Sequence, residues 1–183
     1  MLDFWFGPPS SPDYGLPRQE WFEKDPGFDG AIRAHFMADY QKARDGAYDD
    51  WQKSPAECLA LVILLDQFPR NMFRDQPLAY ATDALDCARH AVAAGFDRHV
   101  GDTGATFFYL PFEHAEDMAS QERALELFRA LPGWESPGSP YHYARRHWDI
   151  IRRFGRFPHR NKALGRASTP AEAEFLALPD SGF

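Results

Sequence analysis

The sequence predicts an all-α protein, and three observations carry that reading. Val, Ile and Thr are scarce, whereas Ala and Leu are abundant. No Asn-Gly or Asp-Gly pair sits between alternating apolar runs, so the common hairpin signal is missing. One helix-start device recurs instead, a capping side chain followed by proline, at Asp25-Pro26, Ser54-Pro55, Ser139-Pro140 and Thr169-Pro170. The capping oxygen accepts a free backbone N–H, and proline at the first helical position gives up a donor that had no partner.

Taken in order, Met1 to Phe6 is apolar and breaks at Gly7-Pro8-Pro9, leaving residues 1–20 a partly irregular segment. After Asp25-Pro26, the residues Phe28, Ile32, Phe36, Tyr40 and Ala43 follow at near-helical spacing until Gly46. Ser54-Pro55-Ala56-Glu57 reads as a capping box opening a core helix, with Cys58 to Leu65 as the longest apolar run. Gln76-Pro77 is predicted to open one helix through Leu78, Leu85 and Val92 to Gly95. Thr103 to Leu110 reads as helix, with a restart or kink at Pro111 and continuation to Leu131-Pro132. Pro132 to Pro140 is a loop, and Ser139-Pro140 opens a helix through Ala144, His147, Ile151 and Phe154 to Gly155. Thr169 to Glu172 is a second capping box. The expectation is a single helical domain over residues 1–183, an antiparallel array of about seven to nine helices with a bent, solenoid-like course.

Composition narrows the function classes. A net charge of −7 argues against nucleic-acid binding by the chain as a whole. No apolar run approaches the roughly 20 residues that a bilayer requires, so no membrane partner is expected. The two cysteines, Cys58 and Cys87, lie in apolar helical segments and read as small buried hydrophobes. Without a disulfide framework or a basic apolar leader, they point to a reducing cytoplasm. Charge is segregated, however. Tyr141 to Arg166 holds seven Arg, one Lys and one acid, net +7, while Glu113 to Glu126 holds five acids and one Arg, net −4. The simplest account packs the basic segment onto the acidic one.

A repeated motif adds to this. Leu64-Leu65-Asp66-Gln67-Phe68-Pro69-Arg70-Asn71 is echoed by Arg156-Phe157-Pro158-His159-Arg160-Asn161. Each Phe-Pro marks a helix end or forced turn, and an Arg-Asn pair follows each, so the two turns are expected to face each other. Further strings recur in order along the chain: Leu2 to Gly7, Trp21-Phe22, Asp25-Pro26, Phe28-Asp29, Leu64 to Arg74, Ala81-Thr82-Asp83, Phe108 to His114, Arg146-His147, Asp149 to Ile151, Phe154 to Asn161 and Leu164 to Arg166. Together they resemble an uncharacterised bacterial family, the domain of unknown function numbered 924. The resemblance implies an all-helical fold akin to tetratricopeptide-repeat proteins and no assigned activity. That family commonly has Ser where this chain has Ala115, which removes the hydroxyl a serine mechanism would need. The tetratricopeptide consensus itself is not readable here, so peptide binding is not inherited.

The chemical candidates are polar side chains at the two turns and one histidine among carboxylates. Asp66, Arg70 and Asn71, with Arg156, His159, Arg160 and Asn161, are read as lining a groove whose guanidiniums take an anion in bidentate fashion. His114 stands among Glu113, Glu116 and Asp117, and on a helix His114 would share a face with Asp117, and Glu113 with Glu116. His147 falls on the apolar side of its helix, where a satisfied core histidine is the common outcome; with His114 and Glu116 it completes the candidate ligand set. There is no HExxH, no paired ExxH and no EF-hand loop, so no metal or cofactor is implied. The leading reading is a binding module for an anionic small molecule or acidic peptide. The alternative is a hydrolase using His114 with a neighbouring carboxylate. A homo-oligomer is compatible with rings exposed on a helical edge.

Overall fold

The computed structural model describes residues 1–81, 83–179 and 181–182; Thr82 of the Ala81-Thr82-Asp83 string lies outside them. Among the described residues the regular structure is helical, without strands, and the helices fall within the predicted number. They are α1 (Leu2–Phe6), α2 (Pro26–Arg44), α3 (Pro55–Val62), α4 (Phe68–Met72), α5 (Ala84–Ala93), α6 (Gly101–His114), α7 (Met118–Arg129), α8 (Pro140–Phe154) and α9 (Pro170–Leu176). Their lengths run from 5 to 19 residues and follow no fixed repeat.

The apolar run predicted from Cys58 to Leu65 is buried on every side, because α2, α5 and α6 all pack on the rod that contains it. Cys58 and Cys87 meet there as thiols, with Sγ atoms 3.5 Å apart between α3 and α5. α1 is too short to stand alone. Its last carbonyls are taken up by a neighbouring loop: Arg18 donates to the oxygens of Phe4 and Trp5, and the Trp21 indole donates to the Trp5 oxygen at 3.0 Å. Trp5, Trp21 and Phe107 then close a ring cluster with centroids 4.9 to 5.6 Å apart. α7 packs between α6 and α8, so the acidic middle and the basic end of the chain are neighbours.

Four local expectations change. Ser54 precedes α3, but its hydroxyl donates to the Glu57 carboxylate at 2.7 Å instead of capping the backbone. Thr169 and Glu172 do form the full reciprocal box. Gln76-Pro77 opens only a 3-10 turn, Pro77–Tyr80, and extended Ala81 separates it from α5. α6 runs straight through Pro111 and stops at His114, where Ala115 turns extended at ψ 141. Asp117 then caps α7 by accepting from Ser120 N at 2.8 Å. His114 and Asp117 therefore lie on different elements, as do Glu113 and Glu116, and the expected shared faces do not exist.

Phe107 is 1% exposed at the centre of the ring cluster. Phe107→Ala is expected to lower unfolding free energy by about 3–5 kcal/mol in urea titrations, against less than about 0.5 kcal/mol for Tyr143→Ala on the surface.

Candidate functional site

Between α3 and α4 the rod widens into a single π turn, Ile63–Gln67, in which the Phe68 N–H bonds the Ile63 oxygen five residues back. Pro69 explains the widening. It brings no N–H to an α-helical ladder, and its ring would crowd the carbonyl four residues earlier. The rod thus passes through this Phe-Pro instead of ending there. The widened turn carries Asp66 and Gln67 into the interior, and such turns recur at functional sites.

Asp66 is 4% exposed and collects donors. His114 Nδ1 lies 2.8 and 3.0 Å from its two oxygens, Gln67 Nε2 donates at 2.5 Å, and an Arg70 nitrogen stands at 3.5 Å. Burial alone would raise its pKa, but the charges of His114 and Arg70 and the two close hydrogen bonds prevail and hold the carboxyl well below its usual range. His114 moves down to about 4, chiefly through burial and then through the Arg70 charge, with Asp66 pulling the other way. At neutral pH the pair is accordingly an ionised Asp66 and a neutral His114. Asp66 is then an acceptor only, so the network assigns the proton to Nδ1 and leaves the lone pair on Nε2. Nε2 has no hydrogen-bond partner among the described residues, and the His114 side chain remains 14% exposed.

The second Phe-Pro lies in a 3-10 turn, Pro158–Arg160, after α8 ends at the left-handed Gly155. Arg160 is 3% exposed. One of its nitrogens donates to the His114 oxygen at 2.9 Å, at the electronegative end of α6. Its guanidinium lies over Phe157 at 4.2 Å and Tyr80 at 5.1 Å. Its Nε is buried without a partner, as is that of Arg70. Burial and then the like charge of Arg70 bring Arg160 down to about 9. His159 falls to about 3, through burial first and Arg160 next. Asp66, Arg70, His114, His159 and Arg160 therefore share one seam.

The other candidates are occupied as framework. Arg156 is gripped by Glu172 at 2.6 and 2.8 Å and by the Ala167 oxygen, so this guanidinium, expected to face an anion, faces α9 instead. Asn161 bonds Ser168 and accepts from Arg166 at 2.9 Å. Glu116 takes Arg166 at 2.6 and 3.0 Å and the Phe157 N–H at 2.8 Å. Asn71 donates to Asp29, which also takes Arg74 in a bidentate grip. His147 Nδ1 lies 2.9 Å from Glu113 and 3.0 Å from the Tyr143 oxygen, with its ring 6.2 Å from that of His114.

The pattern of the family described as bacterial protein of unknown function, DUF924, matches residues 1–180. The chain belongs to this family. A solved structure, of a protein of unknown function from Agrobacterium tumefaciens, is 42% identical, with a TM-score of 0.84 over 96% of this chain and 94% of that one. No curated protein matches. The likeness covers nearly the whole chain.

In this DUF924 chain the sequence reading missed Tyr80 and misassigned the carboxylate partner of His114. Tyr80 sits on a turn mistaken for helix, and Asp66 is 48 residues from His114, a pairing that no local spacing encodes. Glu113, read as a companion of His114, turns to His147. Among the described residues no group of three His, Cys, Asp or Glu is placed to hold a metal. An open hollow lined by Trp134, Tyr141, His142 and Arg145 lies near the start of α8, and none of these four residues belongs to the seam.

Both depressed histidines have one pH signature. The unfolded rings protonate near 6.5, while His114 and His159 in the fold resist until about 4 and about 3. Their neutral state supports the fold fully above pH 6.5, and that support is lost as pH falls through the folded values. Urea stability is therefore expected to fall between about pH 6.5 and 4 by up to about 1.4 kcal/mol per unit per histidine, and His114→Gln with His159→Gln should flatten that slope.

Proposed function

We propose that this chain, folded as one helical domain over residues 1–183 in a tetratricopeptide-like array, binds a small anion between Arg70 and Arg160. One observation carries the reading: Arg160 is buried, yet among the described residues its guanidinium bonds a carbonyl and no carboxylate. A buried charge without a bonded counter-charge is costly, and a second guanidinium nearby adds repulsion. Glu116 and Asp66 act on Arg160 only through space, without a hydrogen bond, and Asp66 stands 3.5 Å from Arg70. A single carboxylate or phosphate group restores the balance and accepts from both Nε donors. Arg160 is too enclosed for a peptide backbone to reach, which favours a small molecule over an acidic peptide. The thiols of Cys58 and Cys87 suit the reducing cytoplasm. No helix among the described residues is long and apolar enough to cross a membrane.

Calorimetric titration with inorganic phosphate and with adipate tests this. Binding of at least one is expected, with a matching rise in Tm. Arg70→Gln, on the more exposed partner, should weaken it by about 10- to 100-fold, and Arg160→Gln by at least as much. Arg156→Gln should leave it unchanged. Equal affinity in the Arg70 and Arg156 variants would refute the reading.

A further inference from the structure

We propose that the seam is catalytic: His114, oriented by Asp66, acts as general base for hydrolysis of a carboxylic ester that carries a second, anionic group. This rests on the anion reading and extends it. A neutral imidazole with Nδ1 fixed by a buried carboxylate, and with no hydrogen bond to Nε2 among the described residues, is an arrangement suited to proton abstraction. Asp66 positions the ring and stabilises the imidazolium that forms when Nε2 takes a proton. Asp66, Arg70, His114, His159 and Arg160 bring no aliphatic hydroxyl or thiol to the seam, and residue 115 is alanine, so water serves as the nucleophile. The two guanidiniums hold the fixed anionic group, and their positive field also favours the oxyanion that develops at the acyl carbon. A phosphate monoester fits less well, because the hydroxide would have to approach the very group whose charge the arginines hold.

The step balances without a further reagent. His114 Nε2 takes a proton from water as the water oxygen bonds the acyl carbon. The tetrahedral species collapses, the ester C–O bond breaks with its electron pair on the alcohol oxygen, and Nε2–H returns the proton to that oxygen. An acid and an alcohol leave.

The test uses the whole chain with three chromogenic probes: mono-p-nitrophenyl adipate, p-nitrophenyl butyrate and p-nitrophenyl phosphate. The adipate ester should be cleaved in preference to the neutral butyrate and the phosphate. His114→Gln should lower kcat by about 100-fold or more with KM little changed, Asp66→Asn should also lower kcat, and Asp66→Glu should restore part of it. Imidazole nitrogen shifts in the unaltered chain give a readout independent of variant folding: His114 should show Nδ1 protonated and Nε2 bare at pH 7. An Nε2–H tautomer, unchanged turnover in His114→Gln, or preferred cleavage of the phosphate would each overturn the proposal. If the chain binds adipate through Arg70 and Arg160 but cleaves none of the three esters, the catalytic inference falls and the binding reading stands. If it neither binds nor cleaves, both fall.

Discussion

The stop of α6 at His114 is the constraint on which the seam and the chain's end both depend. Because Ala115 leaves the helix, the residues around it point in different directions, and each meets the basic end of the chain. Glu113 reaches His147, the His114 oxygen takes Arg160, and Glu116 takes both Arg166 and the Phe157 backbone. Had the helix continued through Pro111 to Leu131, those groups would have lain along one rod and could not have gathered α8, the Pro158–Arg160 turn and Arg166 at one place. Gln121 secures the break by donating to the oxygens of Glu113 and Ala115 at 2.6 and 2.8 Å. Carbonyls that a terminating helix leaves open thus find buried donors.

The polar interior divides into two chemically different parts. In one, every carboxylate faces a matching guanidinium: Asp29 with Arg74, Glu116 with Arg166, Glu172 with Arg156. These are bidentate grips or nearly so, and they fix loops to helices. In the other, around Asp66, cations and imidazoles outnumber acids, and the pKa values of His114, His159 and Arg160 all move toward the uncharged form. A fold that only needed stability would have used the first pattern throughout. The second concentrates unbalanced charge where burial makes it most costly, and perturbed groups of this kind mark a candidate functional site.

Much of the architecture was legible in the chain because its signals are local. Helix starts at Asp25, Ser139 and Thr169 are written in a cap and a proline, and the buried rod in one unbroken apolar run. The join between acidic middle and basic end was legible from charge segregation alone. What failed were readings that needed a decision between continuing and stopping. Pro111 looks like a breaker, yet α6 passes it and yields at Ala115, which carries no breaking signal. Pro69 looks like a terminus, yet the rod absorbs it by widening. The site suffered in the same way. Arg70 and Arg160 were found through the repeated motif, but the same motif put Arg156 beside them, since a sequence shows which arginines exist and not which carboxylates capture them. Asp66 and His114 were each named, but as members of different clusters.

The widened turn at Ile63–Gln67 amounts to one surplus residue in an otherwise ordinary helix. Remove it, and every side chain downstream rotates by about 100° about the axis, so that Gln67 would come to the arc Asp66 now occupies and Asp66 would turn away from His114. A single-codon deletion there would therefore be enough to part the buried carboxylate from the imidazole it orients.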